Sequence, residues 1–106
     1  MANTQSMCTS FLGEGLTATH NFTTSTGDTF KAALYLTTAT NNASTTAYSA
    51  TGEVSGTGYT AGGVTVTNGT SPSSTNTSST AGVAYWTPSA SLTYTSVTLS
   101  TAFDCV

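Results

Sequence analysis

Hydrolysis of a covalent bond asks for a nucleophile, a base and a group that orients the base. The chain offers one histidine, His20, four carboxylates at Glu14, Asp28, Glu53 and Asp104, and many hydroxyls. His20 lies in TATHNFTT, and no GxSxG elbow occurs anywhere to present a serine. It reads as a surface or interface imidazole rather than a base. Glu14 and Glu53 could be set against each other as a glycosidase pair, but nothing around them supports that chemistry. The carboxylates are scattered, and with a single His they match no metal-ligand spacing. No catalytic, cofactor or metal residue is therefore expected. Cys8 and Cys105 sit near opposite ends without a CxxC pattern. They read as free thiols of a reducing compartment, the alternative being a disulfide that joins the termini.

The elements that would have to position these groups belong to a chain of unusual composition. Its 106 residues carry one Lys, no Arg and a formal charge of −3, and only 5% are charged. A single cation, Lys31, cannot neutralise a row of phosphates, which excludes nucleic acid as a partner. The longest strictly apolar run, residues 32–36, falls far short of the roughly 20 residues that a spanning helix needs. The start, MANTQSM, has neither a basic residue nor an apolar stretch behind it, so no secretory signal is readable. Threonine and serine together make 42 residues, which raises the question of a mucin-like stalk or a disordered chain. Two prolines and ten aromatic residues argue against both, and the chain should fold as a single domain over residues 1–106.

Four Asn-x-Ser/Thr matches, at Asn21, Asn42, Asn68 and Asn76, carry no weight in so hydroxyl-rich a sequence. An ice-binding threonine ladder would need a fixed period. The Thr-x-Thr triplets recur instead at intervals of 7, 14, 27, 10 and 18 residues.

Alternation is clearest in DTFKAALYLTT, residues 28–38, with Phe30, Ala32, Leu34 and Leu36 on one face and Lys31, Ala33 and Tyr35 on the other. Residues 37–49 read as a long loop or weak edge strand. Val64 and Val66 mark a second strand, which Asn68-Gly69 should end in a turn. Residues 70–80, TSPSSTNTSST, have no apolar side chain to bury and read as a loop. A third strand covers Val83 to Trp86 and ends at Pro88. In the last segment the apolar phase slips between Thr95 and Ser96, as a β-bulge would make it. Residues 1–27 form an N-terminal arm, in which Cys8, Phe11, Leu12 and Leu16 suggest a short helix that Gly13 and Gly15 weaken. Five to eight short strands with frequent turns predict an all-β fold, an antiparallel sandwich or jelly roll. The chain stops in strand-like sequence, AFDCV, so either it is truncated or its last strand pairs with another subunit.

The sharpest local pattern is TGEVSGTGYTAGGVTVTN, residues 51–68. Its glycines permit positive φ or close backbone approach, Tyr59 is a flat amphipathic anchor, and Glu53 sits among backbone donors that could fix it. It is a folding device or a contact surface. Together with MANTQSMCTSF, DTFKAALY and AYWTPSASLTYTSVTLSTAFDCV, this segment resembles a family of small β-rich virion structural proteins of tailed bacteriophages. The resemblance spans most of the chain. It implies a non-enzymatic protein built into the particle and assembled in the host cytoplasm, with capsid or tail proteins and further copies of itself as partners. It supplies no catalytic or cofactor residue.

Two departures accompany it, the glycines at 13 and 15 and an end at Val106 where similar proteins continue into further strands. Decoration or cementing of the capsid is the first expectation, a tail or adaptor component the second, and a carbohydrate- or surface-binding β-module the third. Tyr59, Tyr85, Trp86 and Tyr94 are the expected interface anchors.

Overall fold

The computed structural model describes residues 3–105. The side chain of Cys105 lies outside the described residues, and with it the expected state of that thiol; Cys8 is a free thiol. The short helix forms as α1, Thr9–Leu16. Its first free amide is met by the backbone, Thr9 N–H donating to Ala43 O at 2.9 Å, rather than by a capping side chain. A methyl at Gly13 or Gly15 would meet nothing within 4 Å, so both face open space. No α1 residue is buried, and Leu16 is 91% exposed.

The expected strand at residues 28–38 is two strands. β1 (Phe30–Ala32) pairs antiparallel with β3 (Val64–Val66), while β2 (Leu34–Leu36) pairs with β6 (Phe103–Cys105). Ala33, between them, belongs to neither ladder. The predicted in-and-out alternation is lost there: Ala32, Ala33, Leu34 and Tyr35 are all buried and, with Ala39 and Val54, make up the buried core. Residues 52–54 also run along β2, with Val54 N–H donating to Leu34 O at 3.0 Å and Leu36 N–H to Gly52 O at 2.9 Å.

The turn expected at Asn68-Gly69 is absent. The chain runs straight on into β4 (Asn68–Ser74), which pairs antiparallel with β5 (Ala84–Pro88). A Cβ at Gly69 would lie 2.7 Å from Pro88 and Ser89 backbone atoms, so glycine there serves close approach between strands. The register slips between Asn68 and Thr70 and again between Thr70 and Ser73. Pro72, which has no N–H to give to a ladder, falls in the second slip. Half of the expected loop at residues 70–80 is therefore strand. The hairpin tip is closed by Thr75 N–H to Val83 O and Thr77 N–H to Thr80 O, both 3.0 Å. β5 does stop at Pro88, as expected.

The predicted bulge at residues 95–96 is instead a turn with Ser96 at φ 54°, and residues 91–102 contain no strand, only an isolated bridge between Thr57 and Thr98. The last strand, β6, finds its partner within the chain: Leu34 faces Cys105, Tyr35 faces Asp104 and Leu36 faces Phe103.

Three two-stranded antiparallel ladders and one short helix thus make up the described fold. The molecule is elongated, 51 × 29 × 24 Å, with a radius of gyration of 15.9 Å. A compact domain of this length has a radius of gyration of about 13 Å. Its accessible surface is 7206 Å². A folded monomer of its mass exposes about 5,500 Å², an excess of about 1,700 Å².

Candidate assembly surface

Three features stand out on this scaffold: a carboxylate hub that fixes the 51–68 loop, a groove beside α1, and the projecting β4–β5 hairpin.

The hub is Glu53. Its Oε1 accepts from Tyr59 O–H at 2.6 Å and from Gly62 N–H at 2.7 Å, and its Oε2 accepts a short bond from Tyr48 O–H. Partial burial alone would raise the pKa of this carboxyl. The three donors outweigh it, those of Tyr48 and Tyr59 foremost, and hold the group below the ordinary glutamate value. The same geometry acts in reverse on the phenols. Burial, then the bond to the Glu53 carboxylate, pushes Tyr59 up to about 12, and Tyr48 is raised chiefly by its bond to Glu53. Tyr35, whose O–H donates to Ser49 O, is raised by burial and then by the charge of Glu53.

Two of the expected anchors serve this loop and the strand break. The Tyr59 hydroxyl oxygen accepts from Leu34 N–H at 3.0 Å, and Tyr94 O–H donates to Ala32 O at 2.6 Å. These are the backbone groups on either side of Ala33, where the chain leaves one ladder for the other. The two rings stack with centroids 6.2 Å apart. Both residues are half-buried, their hydroxyls directed inward.

Trp86, also half-buried, closes an aromatic row: its ring lies edge-on to Phe22 (5.3 Å) and Phe30 (5.8 Å), which stack on each other at 4.2 Å. Phe22 in turn meets Phe11 of α1 at 6.1 Å, and Phe11 stacks on His20 at 4.9 Å. This row ties the N-terminal arm to the base of the hairpin. The N–H of Trp86 has no hydrogen-bond partner among the described residues.

His20 is bracketed by two carboxylates, with Glu14 Oε2 2.7 Å from Nε2 and Asp28 Oδ2 4.0 Å from Nδ1. Glu14 is thus engaged with His20, and Glu53 with its own three donors. His20 and Glu14 stand at the wall of a groove of about 690 Å³, which also takes in Phe11, Phe30, Tyr35 and Tyr48. Cys8, whose thiol lies 3.8 Å from Asn42 O, lines it too. The side-chain N–H₂ of Asn41, in the same wall, is buried without a hydrogen-bond partner among the described residues. No group of three or more metal-ligating side chains gathers among the described residues, and no helix there is long and apolar enough to cross a membrane.

The hairpin differs from the rest of the molecule. Every residue from 70 to 85 is exposed, on both faces of the ribbon. Tyr85, the fourth expected anchor, is 44% exposed, and Val83, one pleat away on the same face, is 65% exposed. The hairpin lies within a stretch, residues 54–103, that holds no charged side chain and no histidine. Tyr48 is the site residue that reading the sequence missed. It falls in the polar stretch 37–49, and no spacing links it to Glu53. The uncharged stretch was legible in composition, but its display as a ribbon was not.

No family model matches the chain, and neither a curated protein nor a solved structure matches it.

Proposed function

We propose that this chain is a non-enzymatic structural subunit of a tailed-bacteriophage virion, one that decorates or cements the capsid and is assembled in the host cytoplasm. The observation that carries the reading is the surplus surface: about 1,700 Å² more than a compact monomer of this mass exposes. An independent globular protein minimises such surface, whereas a subunit of a repeating shell covers it with its neighbours. The resemblance of the 51–68 and C-terminal segments to small virion proteins gives the assembly its kind. On this reading the two-stranded ladders are parts of a β-sandwich that is completed between copies and against capsid proteins. Tyr85 supplies an exposed anchor, and Tyr59, Trp86 and Tyr94 hold the surfaces around it in shape.

The test is to purify intact particles from a lysate of an infected host, dissociate them and quantify this chain by mass spectrometry against the major capsid protein. A fixed ratio compatible with threefold or sixfold capsid sites is expected. Absence from washed particles would overturn the reading, and a ratio of six or twelve copies per particle would move the protein to the tail.

A further inference from the structure

The exposed hairpin and the groove beside α1 are complementary in ways that point to each other. A two-stranded ribbon with both faces in water is at best marginally stable alone, so β4 and β5 gain by lying against something. The ribbon brings no charge of its own to a partly apolar cleft whose walls hold Glu14, His20 and Lys31. The groove offers aromatic and alanine side chains, and in Asn41 an amide donor without a partner among the described residues. Its volume of about 690 Å³ lies within the range of about 300–1,000 Å³ that holds drug-sized ligands, room for more than one side chain.

A single copy does not join the two. The groove is lined by residues between Thr4 and Gly62, whereas the hairpin begins at Asn68. Donor and acceptor are separate patches, the requirement for a head-to-tail contact. The area agrees: an ordinary interface takes about 800 Å² from each partner, and the surplus of about 1,700 Å² is that of two such patches, one given and one received.

We propose that the β4–β5 hairpin of one copy seats in the groove beside α1 of a second copy, with Val83 and Tyr85 as its anchors. The contact rests on the assembly reading above and names its partner. Passed from copy to copy the contact builds a ring or a row, and exchanged between two copies it closes a dimer.

The native thiol in the groove gives a direct test. In full-length chains carrying Cys105→Ser, one preparation adds Val83→Cys and Cys8→Ser, and the other retains Cys8 and Val83. They are mixed, oxidised briefly with diamide and weighed intact. The expected product is the mixed disulfide between the two preparations, in several-fold excess over either homodimer. Separately, Tyr85→Ala, at an exposed position and with far-UV circular dichroism confirming the fold, is expected to weaken self-association in analytical ultracentrifugation by at least tenfold.

A product dominated by the Val83→Cys chain joined to itself would mean hairpins paired edge to edge, and would overturn the proposal. So would an absence of cross-links, or self-association that Tyr85→Ala leaves unchanged. If those results came with a fixed copy number in particles, the seating would fail and the assembly reading would stand. A chain monomeric at every concentration and missing from particles would overturn both.

Discussion

Removing the Glu53 carboxylate should unlock the loop that positions the strand break. Its two half-buried bonds come from Tyr59 O–H and Gly62 N–H, at 2.6 and 2.7 Å. Hydrogen bonds to a charged group contribute about 1.5–3 kcal/mol each. Water reaches part of the site once the side chain is gone, so the low end of that range applies to both. Glu53→Ala should therefore cost about 3 kcal/mol, a large share of the roughly 5–15 kcal/mol that holds an ordinary domain together. Glu53→Gln, which keeps an acceptor for Tyr59 but loses the charge, should cost about 1 kcal/mol. With a urea dependence of about 1–3 kcal/mol per molar, Glu53→Ala lowers the unfolding midpoint by about 1–3 M at neutral pH. The folded pKa of Glu53 is below its unfolded value. Its contribution is then fully present above the ordinary glutamate pKa of about 4.3 and is lost as pH falls through the lowered folded value. The gap between the native chain and Glu53→Ala should narrow correspondingly in acid. Urea titrations followed by tyrosine and tryptophan fluorescence at neutral pH and near pH 2.5 measure both effects. A midpoint shift at neutral pH under about 0.3 M, or an equal shift at the two pH values, would refute the assignment of Glu53 as an ionised hub.

Two further outcomes follow from the same region. Gly62 and Gly63 both have positive φ, 86° and 75°, but a Cβ on Gly62 meets only the end of Lys31 at 3.9 Å whereas one on Gly63 would lie 1.7 Å from Ala32 O. Gly62→Ala should cost the ordinary left-handed penalty of about 1–2 kcal/mol, and Gly63→Ala should destabilise markedly more, since β1 backbone must move; equal thermal midpoints for the two variants would contradict the packing described. Tyr59, held up to about 12, favours folding below the ordinary tyrosine pKa of about 10, and that advantage is lost as pH rises through the folded value. Tyr35 and Tyr48 are raised as well, so an ultraviolet titration at 295 nm should show several phenols ionising late and coupled to alkaline unfolding, and Tyr59→Phe should reduce that late absorbance change by one phenol.

How much of this was legible beforehand depends on the range of the interaction. α1 was readable from Cys8, Phe11, Leu12 and Leu16, because helical spacing is local. The glycine pattern of residues 51–68 likewise announced a tight loop, and Glu53 was recognisable as a residue waiting for donors. Val64, Val66 and the stop at Pro88 were also plain. The failures at residues 68–74 concern what lies beside the chain. Asn68-Gly69 has the composition of a turn, yet a neighbouring strand runs close enough to use Gly69 as a contact point instead. The serines and threonines of residues 70–74 have no apolar signal to reveal a strand, because in this chain both their faces meet water.

What the sequence determined by itself is a set of exclusions and local tendencies. One lysine leaves no row of cations to set against phosphates, threonine-rich alternation favours β-structure, and a hydroxyl surplus without charge leaves a surface that must be satisfied by hydrogen bonds. Tertiary structure alone decided that the chain changes ladders at Ala33, that Tyr59 and Tyr94 hold the backbone on either side of that change, and that the uncharged hairpin stands away from the body. The reason is physical: side-chain alternation records which residues can face a core, but not which distant strand supplies it. Partners far apart in sequence, such as Leu34 and Cys105, are chosen only when the whole chain has packed.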